Sequence, residues 1–323
     1  MSKKVIELLN DALKKNETLF GFEMLPPLKG SGMEGIFNAV ERVVEFEPAY
    51  INITNHREGL KITEDENGIP EYHLVRRRPG TVGIAAAIQR RFGIPTVPHL
   101  ICGGMSKYDI EDELIDMFFL DLNNLLLLRG DKRHGEAEFI PHPQGHERAL
   151  ELVRQVEAMN HGIYIDNEST KSCKTNFCIG VAGYPETHEE AFSPREDILQ
   201  LKRKVDAGAE YVVTQMFFDN DYYFEFVRNC REEGIDVPII PGLKPMVTER
   251  QLTVLPETFS INIPEALRKA IRDCKGDRKK IKETGLEWTI AQSKELKKTG
   301  VPAIHYYTMS KTENIAMIAR QVF

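Results

Sequence analysis

The amino-acid sequence predicts an α/β fold, a (β/α)8 TIM barrel with extra helices. Three observations carry this. Apolar, β-rich runs alternate with amphipathic helical segments to the end of the chain. About eight such units occur, the number that closes a barrel. Runs such as Leu125-Leu126-Leu127-Leu128 and Val237-Pro238-Ile239-Ile240-Pro241 are continuously apolar, which suits parallel strands covered on both faces.

The strands are expected over 19–25, 50–55, 94–102, 124–129, 177–184, 211–218, 237–243 and 303–309. Between them, Ser193-Pro194-Arg195-Glu196 reads as a capping box with proline at the first helical position, and Gly208 closes that helix. Its apolar stripe is Ile198, Leu201 and Val205. Matching stripes occur at Leu152, Val153, Val156 and Met159, and at Ile315, Ile318 and Val322. Two regions exceed a minimal barrel, a polar loop over 56–80 and a helical excursion over 264–300. Both are read as additions to one domain spanning 1–323.

The chain has 323 residues, 41% of them hydrophobic, enough for a large core. Met1 to Ala12 is charged and amphipathic, with no signal-peptide pattern, and no run reaches the apolar length of a membrane span. A cytoplasmic protein with no membrane partner is expected. The net charge of -7 argues against a nucleic-acid partner. The local clusters Arg76-Arg77-Arg78 and Lys279-Lys280 read as solvated faces. Five cysteines, Cys102, Cys173, Cys178, Cys230 and Cys274, form no CxxC pair and are expected as free thiols. His134, His142 and His146 lack metal-ligand spacing because Pro143 and Gly145 interrupt them, so no metal is expected.

In a parallel barrel, reactive groups belong at the carboxyl ends of the strands. The polar residues that fall there are Glu23, Thr54 with Asn55, His99, Arg129 with Asp131, Tyr184 with His188, Gln215, Lys244, and Tyr306 with Lys311. Glu23 stands out as a lone carboxylate in the apolar run Thr18-Leu19-Phe20-Gly21-Phe22-Glu23-Met24-Leu25-Pro26-Pro27. Burial there disfavours the charged form and prepares a general acid; the other reading is a strand-end glutamate whose head reaches solvent or an arginine.

The segments Phe22-Glu23-Met24-Leu25-Pro26-Pro27, Pro98-His99-Leu100, Leu128-Arg129-Gly130-Asp131, Tyr184-Pro185-Glu186-Thr187-His188, the lysine-rich run 201–209 and Thr214-Gln215-Met216-Phe217-Phe218-Asp219 together resemble methylenetetrahydrofolate reductase. The likeness runs from Thr18 to the final helix and is to the short bacterial type, without the regulatory domain of the eukaryotic enzymes.

The resemblance implies FAD held without a Rossmann fingerprint, NADH or NADPH as co-substrate, 5,10-methylenetetrahydrofolate as substrate, and a homo-oligomer. It assigns the flavin to Thr54, His99, Arg129, Gly130, Asp131, Tyr184, His188, Asp197, Gln200, Arg203 and Lys204, with Arg203 and Lys204 at the pyrophosphate. It makes Glu23 the acid that opens the folate ring and Asp131 the anion near flavin and pterin. Glu23, Asp131, Gln215, Leu255 and Lys311 form the substrate set. Three of the residues in the flavin and substrate sets depart from the family pattern: Gln200 stands where Asn is common, Leu255 where an aromatic can stack, and Lys311 where Arg can meet the folate tail. The alternatives are another FAD barrel, such as a proline-dehydrogenase-like oxidase, or a non-catalytic flavin-binding subunit.

Overall fold

A computed structural model describes residues 2–133, 136, 138–166, 172–308 and 311–323. Eight parallel strands close into a barrel: β1 (Leu19–Met24), β2 (Tyr50–Ile53), β5 (Thr96–Ile101), β6 (Asn124–Leu128), β7 (Cys178–Gly183), β8 (Tyr211–Met216), β9 (Ile239–Leu243) and β10 (Ala303–Tyr306). They neighbour one another in chain order, and β10 returns to β1. Every strand expected from the sequence is present, but seven of the eight end one to three residues earlier than expected. The residues past each end leave the ladder to line the site. Met309, at the end of the last expected strand, lies outside the described residues, as does His134.

Helices α2 (Glu34–Glu41), α3 (Val82–Phe92), α4 (Lys107–Phe119), α5 (Ala149–Asn160), α6 (Pro194–Asp206) and α7 (Asn220–Glu232) follow successive barrel strands. Three helices, α8 (Gln251–Phe259), α9 (Glu265–Asp273) and α10 (Arg278–Lys298), connect β9 to β10, and α11 (Thr312–Val322) ends the chain. The stripes at Leu152, Val153, Val156 and Met159, and at Ile315 and Ile318, are fully buried against the sheet. Ser193 caps α6 by accepting from the Glu196 N–H, with Pro194 at the first position. The reciprocal half of the expected capping box is not made, because Gln200 Nε2 donates to the Glu196 carboxylate at 2.6 Å.

The region 56–80 is not a plain loop. It folds as an antiparallel hairpin, β3 (Gly59–Glu64) with β4 (Pro70–Val75). Asp65 makes the turn by accepting from the N–H groups of Asn67 and Ile69, both at 2.8 Å, while Gly68 takes the positive φ of 77° that the turn demands. The Asn67-Gly68 pair between alternating runs is the hairpin signal that overall polarity obscures.

Side chains alternate along each strand. Phe20, Phe22 and Met24 of β1 pack outward under the helices, whereas Leu19 packs with the interior cluster of Tyr50, Val97, Leu126, Cys178, Tyr211, Val213, Ile240 and Ala303. Helix α1 (Val5–Lys15) closes this interior from the amino-terminal ends of the strands with Val5 and Leu9. Its Val5 N–H donates to Asn124 Oδ1 at 2.7 Å.

Three inward tyrosines fill space that a neighbouring glycine vacates. A Cβ added to Gly21 would lie 2.4 Å from Tyr50 Cζ, one on Gly180 2.3 Å from Tyr211 Cζ, and one on Gly242 2.6 Å from Tyr307 Cε2. These pairs pack the barrel as a solid core. Gly180→Ala is therefore expected to cost about 1–3 kcal/mol through overpacking, read as a lowered denaturant midpoint. Gly35→Ala in α2, where a Cβ meets nothing within 4 Å, should hold or raise it. An unchanged midpoint for Gly180→Ala would show that the Tyr211 ring has room to move.

Candidate active site

A cavity of about 1130 Å³ opens at the carboxyl ends of the barrel strands. Alternation and register build its floor. Phe22 pairs with Tyr306, and Tyr306 with Leu243. The next residues, Glu23, Tyr307 and Lys244, therefore occupy one rung on adjacent strand ends, and all three line the cavity. The Tyr307 hydroxyl donates to the Thr214 carbonyl at 2.6 Å, and Thr308 Oγ1 donates to the Glu23 carbonyl at 2.6 Å. A register shift in β8 between Val213 and Met216 accompanies the turning of Gln215 into the cavity. Gln215 Oε1 accepts the Met216 N–H at 2.9 Å, which leaves its amide N–H groups for a ligand.

Glu23 is buried, and no hydrogen bond reaches its carboxyl among the described residues. Burial raises the carboxyl to about 7, against the opposing pull of Lys244. Burial also lowers the Lys244 ammonium, which Glu23 supports and Lys311 opposes. His99 and His305 are pushed down to about 3, chiefly by burial, so both are neutral. Asn52 Nδ2 lies 3.0 Å from His99 Nε2. The amide can only donate there, so the network assigns the ring proton of His99 to Nδ1.

On the opposite wall, Lys204 is drawn in and donates to the Ala182 carbonyl at 2.8 Å. Burial lowers its ammonium to about 8, with Asp197 opposing. One neutral acceptor satisfies one of three donors, and the others remain for an anion. Asp197 accepts the His188 N–H at 2.8 Å, and the His188 ring meets Tyr184 edge-on at 4.6 Å. Arg129 is gripped by Glu190 and lies over the Phe139 ring at 4.9 Å. Asp131 is exposed at the rim, where its charge acts on His56, Arg129 and Tyr184.

The cavity gathers Glu23, Thr54, His99, Arg129, Gly130, Asp131, Tyr184, His188, Asp197, Gln200, Lys204, Gln215, Leu255 and Lys311. Arg203 is not among them; it is exposed on α6, one residue from Lys204 and on a different face. Tyr306 also points away, because alternation turns it outward to donate to Ser293 Oγ at 2.9 Å. Tyr307 takes the inward place. Arg57 and Glu58 were not legible as site residues. They border the cavity because the hairpin root packs on the loop after β6, where Arg133 bridges Glu58 at 2.6 Å and Glu136 at 3.0 Å. Among the described residues no cluster of His, Cys, Asp or Glu is arranged to hold a metal ion.

A closed parallel barrel with a buried carboxyl and a half-satisfied lysine in a cavity of about 1130 Å³ at its carboxyl end defines an α/β-barrel protein with a ligand-sized site. The sequence places it further: residues 8–322 match the methylenetetrahydrofolate reductase family, and the chain belongs to that family. A rice protein described as a probable methylenetetrahydrofolate reductase (NADH) is 31% identical over 316 residues, 95% of this chain and 48% of the relative. The chain thus spans about half the length of its plant relatives. The 5,10-methylenetetrahydrofolate reductase of Salmonella typhimurium is 28% identical across 95% of this chain and 92% of its own. Among solved structures, a Clostridium thermocellum protein described as binding two copies of 5-methyl-5,6,7,8-tetrahydrofolic acid superposes with a TM-score of 0.56 at 16% identity. The match covers 98% of each chain, and this likeness speaks for the barrel alone.

The raised Glu23 carboxyl fixes a stability signature. Between the ordinary carboxyl value of 4.5 and about 7, the folded protein keeps a proton that the unfolded chain has lost. Stability contributed by this residue therefore falls as pH rises through that window. Glu23→Gln has no proton to lose, so its midpoint should match the parent near pH ~4 and exceed it near pH ~8. A difference that does not change with pH would show that Glu23 ionises freely in the folded protein.

Proposed function

We propose that this chain, as one FAD-binding barrel spanning 1–323, reduces 5,10-methylenetetrahydrofolate to 5-methyltetrahydrofolate with NAD(P)H, NADH in particular. The observation that carries the reading is Glu23, a buried carboxyl with its proton retained to about 7 and its oxygens unbonded, facing a cavity large enough for a dinucleotide. Membership of the family supports the reaction, and the rice relative's name supports NADH. Five free cysteines suit a reducing cytoplasm.

The residues present fit FAD. Lys204 keeps donors for a diphosphate oxygen, and Asp197, Gln200, Tyr184 and His188 offer polar contacts beside it. Gly130, at φ 85° and close under Ile101, keeps the wall flat where a Cβ would intrude at 3.3 Å. FAD, when bound, stores the electron pair between nucleotide and folate. Thr54, His99 and Asp131 would hold its ring end, with His99 neutral and donating from Nδ1.

The chain's own chemistry centres on proton transfer. The methylene bridge of the folate is a poor electrophile until one bridging nitrogen is protonated. Glu23 gives that proton, the carbon–nitrogen bond breaks, and the one-carbon unit becomes a cation able to accept the electron pair. The carboxylate left behind is reprotonated from solvent, so one proton is consumed per turnover. Asp131 accepts from the pterin amide edge and stabilises the cation. Gln215 supplies amide N–H groups for orientation, and Lys311 meets the carboxylate tail as a point charge.

Glu23→Gln is expected to retain flavin reduction by NADH and to lose flavin reoxidation by methylene-folate by about 10²–10⁴-fold, read by anaerobic stopped-flow absorbance. Full reoxidation by the variant would dismiss Glu23 as the acid. Flavin reduced by NADH but never reoxidised by folate would dismiss the substrate. Lys204→Met should purify with a smaller flavin absorbance per chain than the parent. Equal flavin content would remove Lys204 from the cofactor site.

A further inference from the structure

Lys244 takes no part in the mechanism above, yet it is the other charged residue on the Glu23 rung. Ile240 and Gly242 face the barrel interior, so alternation turns Lys244 inward as well. β1 and β9 flank β10, which separates their ends by two strand spacings, about 9–10 Å. A lysine side chain is long enough to span much of that distance, and Tyr307, on the strand between, is tied down to Thr214 and seated on Gly242. Neither the Glu23 carboxyl nor the Lys244 ammonium makes a hydrogen bond or direct ion pair among the described residues, although each shifts the other's ionisation. Two opposite charges thus line one pocket within Coulombic range and out of direct contact.

The surrounding groups leave this pair dominant. Lys311, at the start of α11, adds a positive charge that acts on Lys244. Tyr307 stays protonated, its hydroxyl pushed well up by burial and by Glu23. His305, one rung below, and His99, from β5, are neutral. Thr54 and Gln215, from β2 and β8, carry no charge. Asp131 acts on other residues at the rim.

We propose that Lys244 is a positioning residue for the acid: its fixed positive charge sets the pH at which Glu23 releases and recovers its proton. This rests on Glu23 as the proton donor to the folate. Burial alone would hold the proton so tightly that the carboxyl would be slow to give it up. The ammonium opposes burial and stabilises the carboxylate once the carbon–nitrogen bond has broken. Lys244 keeps its own proton throughout. The proton lost by Glu23 goes to the folate nitrogen, and its replacement comes from water.

The test compares the FAD-loaded full chain with Lys244→Met and Lys244→Arg. The carbonyl stretch of protonated Glu23, identified by its loss in Glu23→Gln, is followed by infrared difference spectroscopy across pH. In Lys244→Met its midpoint should rise by about one pH unit or more, and Lys244→Arg should restore it. The alkaline limb of flavin reoxidation by methylene-folate should move with it, at unchanged KM. An unmoved midpoint overturns the proposal, as does a raised KM with an unmoved limb, which would make Lys244 a ligand contact. If methylene-folate proves not to be the substrate, the infrared midpoint still decides whether Lys244 governs the Glu23 proton, so the two failures are distinguishable.

Discussion

In a barrel closed on itself a side chain has two destinations, the helical coat or the interior, and alternation along eight strands assigns each residue to one of them. The lower interior of this protein is filled by the tyrosines seated over Gly21 and Gly180, and by the apolar residues that α1 closes over. The strand ends above it are left to carry polar groups toward solvent. Glu23, Thr54, His99, Lys244 and Tyr307 are neighbours for that reason, although they are far apart in the chain. Polar groups on and just below the Glu23 rung are less well served. Tyr50 Oη, Asn52 Oδ1 and His305 Nδ1 are buried with no hydrogen-bond partner among the described residues.

The site resolves two conflicting demands. A carboxyl that keeps its proton near neutrality needs a dry environment, whereas a cavity of about 1130 Å³ needs an opening to admit a ligand. The structure separates them by depth. Glu23 is only 7% exposed on the floor, while Asp131 stands exposed at the rim. Lys204 occupies the middle ground, buried enough to be weakened as an acid-base group yet with donors to spare. The arrangement grades burial along the cavity, from Glu23 on the floor to Asp131 at the rim.

Much of this was legible in the sequence because it depends on local rules. Apolar runs marked all eight strands, helical stripes marked the buried faces, and the lone carboxylate of Glu23 at a strand end marked a buried group on the cavity floor. What escaped depended on contacts between distant segments. Tyr306 and Tyr307 are adjacent tyrosines, and only the register of β10 against β1 decides which one faces the cavity. Arg203 and Lys204 look equally suited to a diphosphate, but the rotation of α6 about its axis turns Lys204 into the cavity and leaves Arg203 exposed. The hairpin was hidden by its polarity, and the roles of Arg57 and Glu58 by the need to know which loop lies across from them.

That hairpin is pinned at its root and free at its tip. Arg133 grips Glu58, and Arg57 donates to the backbone carbonyls of Asp131 and Ile140, so the strands leave the barrel from a fixed point. Beyond it, Leu60, Ile62, Tyr72 and Leu74 are exposed, and the turn at Asp65 and Gly68 is the outermost punctuation. The protein thus carries a natural splice point. Sequence can be lengthened or exchanged at that turn while the clasp shields the cavity, which makes the hairpin a place where lineages or engineers can append new properties without rebuilding the barrel.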